Sequence, residues 1–357
     1  MAKRTTKMVP VTIGMDLGDK YSQVCILEGD RAPRVRRVPT KTAAIAGFLS
    51  DFTSTVTVII EAGTHSRWVS HLIKQSGHSV YVANPRNLRL LTHSHRKSDA
   101  TDAELLARIG RADPKLLSPI QHRSMDAHAD LLVIRARDTL VRQRTKTVNA
   151  VRGMTKTFGV SLPRCSPATF PEKVVEIIPE SLQPALAPLL KVIEGLTKLI
   201  RRYDRKIVGF VEFYPELAPL TELPGVGPIT AAAFLLTIED PKRFKNSRAV
   251  GAYIGLTPRQ HQSGEKDPQL RITKRGNSYL RRLLVLSAHK ILQKRSADCD
   301  LKTVGLAIAA RGGKNAKKRA VVALARRLAV LMHVLWRRGE VYDPHHRDKL
   351  SAVRATA

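Results

Sequence analysis

The chain has 357 residues, with 61 Lys+Arg against 30 Asp+Glu and a formal net charge of +31. That length leaves room for two or three domains with real cores, and 43% hydrophobic residues exclude wholesale disorder. An excess of positive charge spread through folded-looking segments points to a polyanionic partner, nucleic acid first.

Cys25, Cys165 and Cys299 lie far apart with no metal-ligand spacing, so they read as free thiols of a reducing compartment. The basic start "MAKRTTKMVP" is followed by no apolar h-region, and segments such as "VVALARRLAVLMHVLW" are interrupted by arginines. The expectation is a soluble, cytoplasmic, nucleoid-associated protein without a membrane partner.

In chain order, "VTIGMDLG" and "YSQVCILEG" are apolar runs around a Gly-Asp turn and predict a hairpin, with "RVRRVPT" as a third strand. "TAAIAGFLSDF" has helical spacing and "VTVIIEAG" reads as a buried strand. "HSRWVSHLIKQSG" is a helix ending at Gly77, "HSVYVAN" is a strand, and a further helix begins within "HRKSDATDAELLARIGRAD". Three strands followed by helix, strand, helix, strand, helix is the element order of an α/β RNase H-like fold.

From residue 124 the strands stop. Residues 125–157 read as one long helix whose apolar positions are Met125, Leu132, Ala136, Leu140, Val148, Val151 and Met154, with arginines on the other faces. After a proline-containing break, Leu186, Leu189, Ile193, Leu196, Ile200, Tyr203, Ile207 and Phe210 alternate steps of three and four, the seam of a coiled coil. That seam closes either as a hairpin within the chain or between subunits. A mostly helical region opens at "LPGVGPITAAAFLLTI" and runs to about residue 340, and "HHRDKLSAVRATA" reads as a loose tail.

Four acids draw attention. Asp16 and Glu61 close two apolar strands, while Asp99 and Asp102 stand three apart where a helix begins. Strand ends and the start of a packing helix can converge in an α/β layer. Four carboxylates brought together require a counter-charge, and all-oxygen ligation suits Mg²⁺ or Mn²⁺. Taken singly, each has a plainer reading: Asp99 as an N-cap, Asp102 as a first-turn acid, Asp16 in a turn beside Gly18, Glu61 paired with an arginine. Gly225 and Gly227 in "LPGVGPITA" form the Gly-x-Gly turn of a helix-hairpin-helix, which admits a close DNA phosphate, or else a simple tight turn. Arg259, Lys266, Arg271, Lys274 and Arg275 form a basic cluster suited to phosphates. Ser263 lies among them, with no acid–base partner at a fixed spacing to mark it as a nucleophile.

Taken together, "GMDLG", "IIEAGT", "KSDATDA", "LPGVGPITA", "FKNSRAVGAYIGLTPRQHQSG" and "ITKRGNSYLRRLL" closely resemble the DEDD-type insertion-sequence transposases, also called bridge-RNA or seeker-RNA recombinases. The resemblance covers about residues 9 to 340. It implies that Asp16, Glu61, Asp99 and Asp102 are the D-E-D-D tetrad holding Mg²⁺ (or Mn²⁺). It implies also that Ser263, in "QSG", forms a covalent phosphoserine link to DNA. Because a serine hydroxyl needs activation and no local base is evident, the expectation is a composite site in which the metal held by the tetrad reaches the phosphate beside Ser263 of the same or another subunit. The implied organisation is a RuvC-like DEDD domain at 9–123, a helical coiled-coil region at 124–215, a transposase domain with the serine at 216–340 and a flexible tail at 341–357. The implied partners are donor and target DNA, a structured non-coding guide RNA, and further copies of the chain in a dimer or tetramer. Two rivals stand beside this reading: a metal-dependent nuclease or junction resolvase using water, and a non-catalytic nucleic-acid-binding protein. "MDLG" also resembles the phosphate loop of sugar kinases and actin-like ATPases, which the basic helical second half does not suit.

Overall fold

A computed structural model describes residues 10–85, 98–262 and 270–346 of the chain. They gather into two compact units, one ending at His122 and the other starting at Arg123.

In the first unit the predicted hairpin forms from β1 (Val11–Leu17) and β2 (Tyr21–Glu28), and β3 (Arg34–Pro39) adds to it. β4 (Thr57–Glu61) and β5 (Ser79–Ala83) complete a five-stranded sheet of order β3-β2-β1-β4-β5. The pairs β1–β2 and β2–β3 are antiparallel, whereas β1–β4 and β4–β5 are parallel. A mixed sheet of this kind is compatible with an RNase H-like domain.

The helices are α1 (Thr42–Ser50), α2 (Ser66–Gln75) and α3 (Asp99–Ala112). Side chains alternate across a strand, so each strand feeds two cores. Ile13, Met15, Val58 and Ile60 pack with Ile45, Leu49, Val69 and Ile73 of α1 and α2. On the other face, Cys25 and Leu27 meet Ala103 and Ala107, and Ile59 meets Leu106. α3 lies so close to the sheet that a Cβ on Gly14 would stand 2.0 Å from the Ala103 carbonyl oxygen and 2.5 Å from the Ala107 nitrogen. Only glycine fits there.

The second unit is helical: α4 (Met125–Lys156), α5 (Phe170–Val174), α6 (Gln183–Val208), α7 (Leu217–Thr221), α8 (Pro228–Ile238), α9 (Arg248–Tyr253), α10 (Ser278–Ile291), α11 (Asp300–Ala310) and α12 (Ala316–Arg338). α8 is buried from Thr230 to Ile238 and, with α10 and α12, forms the main core. Among the described residues no helix is long and apolar enough to cross a membrane.

α4 and α6 pack on each other within the chain. The expected seam needs correction in its second column. Leu186, Ile193, Ile200 and Ile207 are buried as the spacing predicts, and so is Phe210 just past α6, but the other buried column within α6 is Leu190 and Thr197, with Leu189, Leu196 and Tyr203 only half-covered. On α4 the buried stripe is Ala127, Leu131, Ile134, Asp138, Val148, Val151 and Thr155, so the expected Met125, Leu132 and Met154 are exposed instead. The physical reason is polar pairing inside the hairpin. The Arg144 guanidinium donates to Thr197 Oγ1 at 3.1 Å and Arg137 Nε donates to Asp204 Oδ1 at 2.8 Å. Polar side chains with partners can hold core positions, and a search for apolar periodicity passes over them.

Candidate active site

Asp16 and Glu61 each lie one residue beyond the pair Met15↔Ile60, at the carboxyl ends of adjacent parallel strands. Gly14 and Ile59 face α3, so Asp16 and Glu61, two residues further on, face the same side. α3 runs opposite to β1. Near its C-terminus a guanidinium nitrogen of Arg111 donates to the Gly29 carbonyl at 2.7 Å, just past the end of β2 and beside the start of β1. The first turn of α3 therefore comes to the carboxyl end of β1 and β4. Asp99 and Asp102 stand four residues before the buried Ala103 and Leu106, on the helix stripe that meets the sheet. All four acids are thus assigned by the topology to one end and one face of the sheet. Asp16, Glu61 and Asp102 are half-buried and Asp99 is exposed.

Asp99 is not the cap of this helix. Ser98 is: its Oγ accepts from the Thr101 backbone N–H at 3.2 Å, and Thr101 Oγ1 accepts from the Ser98 N–H at 3.0 Å. This reciprocal box satisfies the helix start without either aspartate.

Further polar groups gather at the same end of the sheet, in the loops after β1 and β4, in the first turn of α2 and at His122. His65 Nε2 is 3.3 Å from Asp19 Oδ1, and the Trp68 indole donates to His65 Nδ1 at 3.1 Å. Ser66 Oγ is 3.0 Å from His122 Nε2. Sequence reasoning missed these groups because the partners are 46 and 56 residues apart. A histidine just past an acid-terminated strand is the one signal that could have found His65.

In the second unit the basic segment folds as a short two-stranded ribbon. Pro258 bridges Ile272, Arg259 N–H donates to the Arg271 carbonyl at 3.0 Å, and Thr273 N–H donates to the Thr257 carbonyl at 2.8 Å. Arg259, Arg271, Lys274 and Arg275 are exposed on this ribbon. Ser263 and Lys266 lie outside the described residues, between its two strands in sequence. The ribbon's base is tied by Arg281, whose guanidinium donates to the Ile254 carbonyl at 2.7 Å and the Arg275 carbonyl at 2.9 Å. Partial burial pulls the Arg281 pKa down, in keeping with a guanidinium that has given up water for these carbonyls. Sequence reasoning gave Arg281 no role.

Of the two glycines in the Gly-x-Gly turn, Gly225 has a left-handed φ of 74° and would bring a Cβ within 2.7 Å of the Ser287 carbonyl oxygen on α10. Its need is for packing inside the unit. Gly227 is the N-cap position of α8 and has open space around it.

Two sequence profiles match the chain. A DEDD transposase profile of the IS110 type, described as transposase, covers residues 13–158 and so includes all four acids. A profile described as the transposase IS116/IS110/IS902 family covers residues 217–301, which include the ribbon. The transposase for insertion sequence element IS1328 of Yersinia enterocolitica is 32% identical over 243 residues, 66% of this chain and 71% of that protein. The chain belongs to the IS110/IS116 family of transposases. The transposase for IS1111A of Coxiella burnetii is 29% identical over 352 residues, covering 95% of this chain and 93% of the relative. As a transposase, the protein is an enzyme that cuts and rejoins DNA.

Membership of the DEDD group implies that this transposase depends on a divalent metal. The donor set fits in chemistry: four carboxylates supply hard oxygen ligands, and no sulfur is among them. As placed, the side chains are more open than a closed ligand shell. Among the described residues no three His, Cys, Asp or Glu side chains stand close enough together to hold one ion.

Proposed function

We propose that the transposase cuts and rejoins strands at donor and target DNA sites through a serine–DNA intermediate, with Mg²⁺ as the cofactor, directed by a structured non-coding RNA. The observation that most supports the metal-site half is the sharing of one sheet end and one face by Asp16, Glu61, Asp99 and Asp102. These four residues would hold the ion. An ion bound there would neutralise the carboxylates and the charge that builds on the scissile phosphate.

Ser263 supplies the nucleophile. Its Oγ forms a bond to phosphorus as the bond to the leaving strand oxygen breaks, and that oxygen takes a proton from solvent and departs as a hydroxyl end. The serine proton passes to solvent or to a base near the site. Rejoining reverses this: a strand hydroxyl attacks the phosphoserine and returns the proton to Ser263. Arg259, Lys266, Arg271, Lys274 and Arg275 hold phosphates and offset charge in the transition state, with the turn at Gly225 and Gly227 as a further backbone contact. Delegation of sequence choice to RNA is supported by a broad basic composition without zinc-finger spacing or a basic leucine zipper. We assign the functional divisions to residues 9–123, 124–215 and 216–340. The outward row of the α4–α6 hairpin, with Leu132, Val192 and Leu199 exposed, joins copies of the chain.

The test is strand cleavage by Asp16→Asn and Asp99→Asn in Mg²⁺, alongside DNA binding. Both variants are expected to bind DNA close to wild type and to lose cleavage. Full cleavage by either removes that acid from the metal site.

A further inference from the structure

Outside the sites above, α4 and α10 enclose a groove of about 550 Å³. Its floor is apolar, formed by Val141, Leu283 and Leu286, and its rim carries Arg142, Lys146 and Arg282. Leu286 is 56% exposed there, so its side chain is open to a ligand in the groove.

One carboxylate organises the rim. Asp138 is only 8% exposed; it accepts from Arg142 Nε at 2.9 Å and from the Arg282 guanidinium. The Arg282 guanidinium also lies over the Tyr279 ring, 5.0 Å from its centroid. Each guanidinium carries five N–H donors, so a single shared carboxylate fixes both arginines and leaves most of their donors available. With Lys146 one helical turn along α4 from Arg142, the groove is lined by four cations, Arg137, Arg142, Lys146 and Arg282; Arg137 is paired with Asp204, which leaves three against the one buried negative charge of Asp138.

An apolar floor beneath a row of fixed cations suits a polymer with alternating phosphates and flat, partly apolar groups. A duplex turns mainly phosphates outward, whereas an unpaired strand can lay its base and sugar on the floor while its phosphates meet the rim. We propose that this groove binds an unpaired stretch of nucleic acid, with Arg142, Lys146 and Arg282 on the phosphates, the leucines beneath a base, and Asp138 as the positioning residue of the rim. The proposal rests on the reading of this protein as acting on nucleic acid and adds a binding site to it.

The experiment measures binding of labelled 20-mers by the full chain as single-stranded DNA, single-stranded RNA and duplex DNA, over a range of salt. The variants are Arg142→Gln with Lys146→Gln and, independently, Leu286→Asp, a change at an exposed position. A control, Lys191→Gln with Lys198→Gln, removes the same charge from exposed positions on α6. Circular dichroism checks folding.

Each groove variant is expected to weaken binding to at least one single strand roughly tenfold, more than to the duplex. The Arg142/Lys146 pair should also flatten the salt dependence by about 0.7 per lost phosphate contact. Loss confined to RNA, or to DNA, identifies the strand that occupies the groove. Unchanged single-strand affinity, an equal loss on the duplex, or an equal loss in the control overturns the proposal. If wild-type protein binds no nucleic acid, the proposed function falls with it; if it binds and the groove variants bind as well, the groove alone falls.

Discussion

At the start of α3, neighbouring side chains divide structural and chemical work. Ser98 and Thr101 satisfy the helix end, so Ser98→Ala should cost about 1 kcal/mol of stability. Asp99→Asn should change stability by less than about 0.5 kcal/mol and still abolish cleavage. Urea midpoints and a nicking assay on the two variants separate these outcomes; a large stability loss in Asp99→Asn would return that residue to a structural role. A second residue-level prediction concerns His333, fully buried, with Nε2 2.9 Å from the Pro241 carbonyl and Nδ1 3.0 Å from Ser247 Oγ. Burial depresses its pKa below the ordinary imidazole value of about 6.5. The neutral ring therefore contributes stability that is present above that value and is lost as pH falls through the folded pKa. His333→Gln should show less loss of urea midpoint between pH 7.5 and 5.5 than wild type, and an equal loss would remove His333 as a cause. At this scale the strand-end acids were legible, because an apolar run closing on Asp16 or Glu61 is visible in one dimension. His65 and His122 were not, since their contacts join distant segments.

The position of the elements depends on a few close approaches. Gly14 lets α3 lie against β1, and Gly14→Ala would press a methyl group into the Ala103 and Ala107 backbone. Overpacking of this kind costs about 1–3 kcal/mol. It would also lift the first turn of α3, so cleavage should fall further than the loss of folded protein explains. Normal cleavage by folded Gly14→Ala would separate the α3 backbone position from the site. The central strands β1, β2 and β4 were legible because their apolar runs are unbroken and bounded by turn residues, whereas β3 shows itself only by its position after the hairpin. The α4–α6 hairpin was legible only in part, since Asp138 and Thr197 take buried positions through arginine partners. The corrected faces change how assembly is tested. Ile193 and Ile200 are buried within the chain, so aspartates there should unfold the hairpin. Val192 and Leu199 are 50% and 41% exposed. Val192→Asp with Leu199→Asp should leave the fold intact and lower the mass measured by light scattering; an unchanged mass would take this face out of assembly.

Across the whole molecule, a net charge of +31 makes affinity for nucleic acid strongly dependent on salt. For ~6–10 phosphate contacts, affinity should drop by roughly 10³–10⁵ between 50 and 200 mM salt. Such binding carries no sequence information by itself; on the proposal of RNA guidance, site-specific recombination should fail when the non-coding RNA is left out and return when it is added. The central claim is that four acids and a serine cut DNA through a covalent intermediate. Its most direct test is a denaturing gel of the transposase incubated with labelled element-end DNA in Mg²⁺. Wild type should give a protein–DNA adduct that survives denaturation, and Ser263→Ala and Asp16→Asn should give none. Cleavage and rejoining by Ser263→Ala, with no adduct in wild type, would contradict the account and make water the nucleophile.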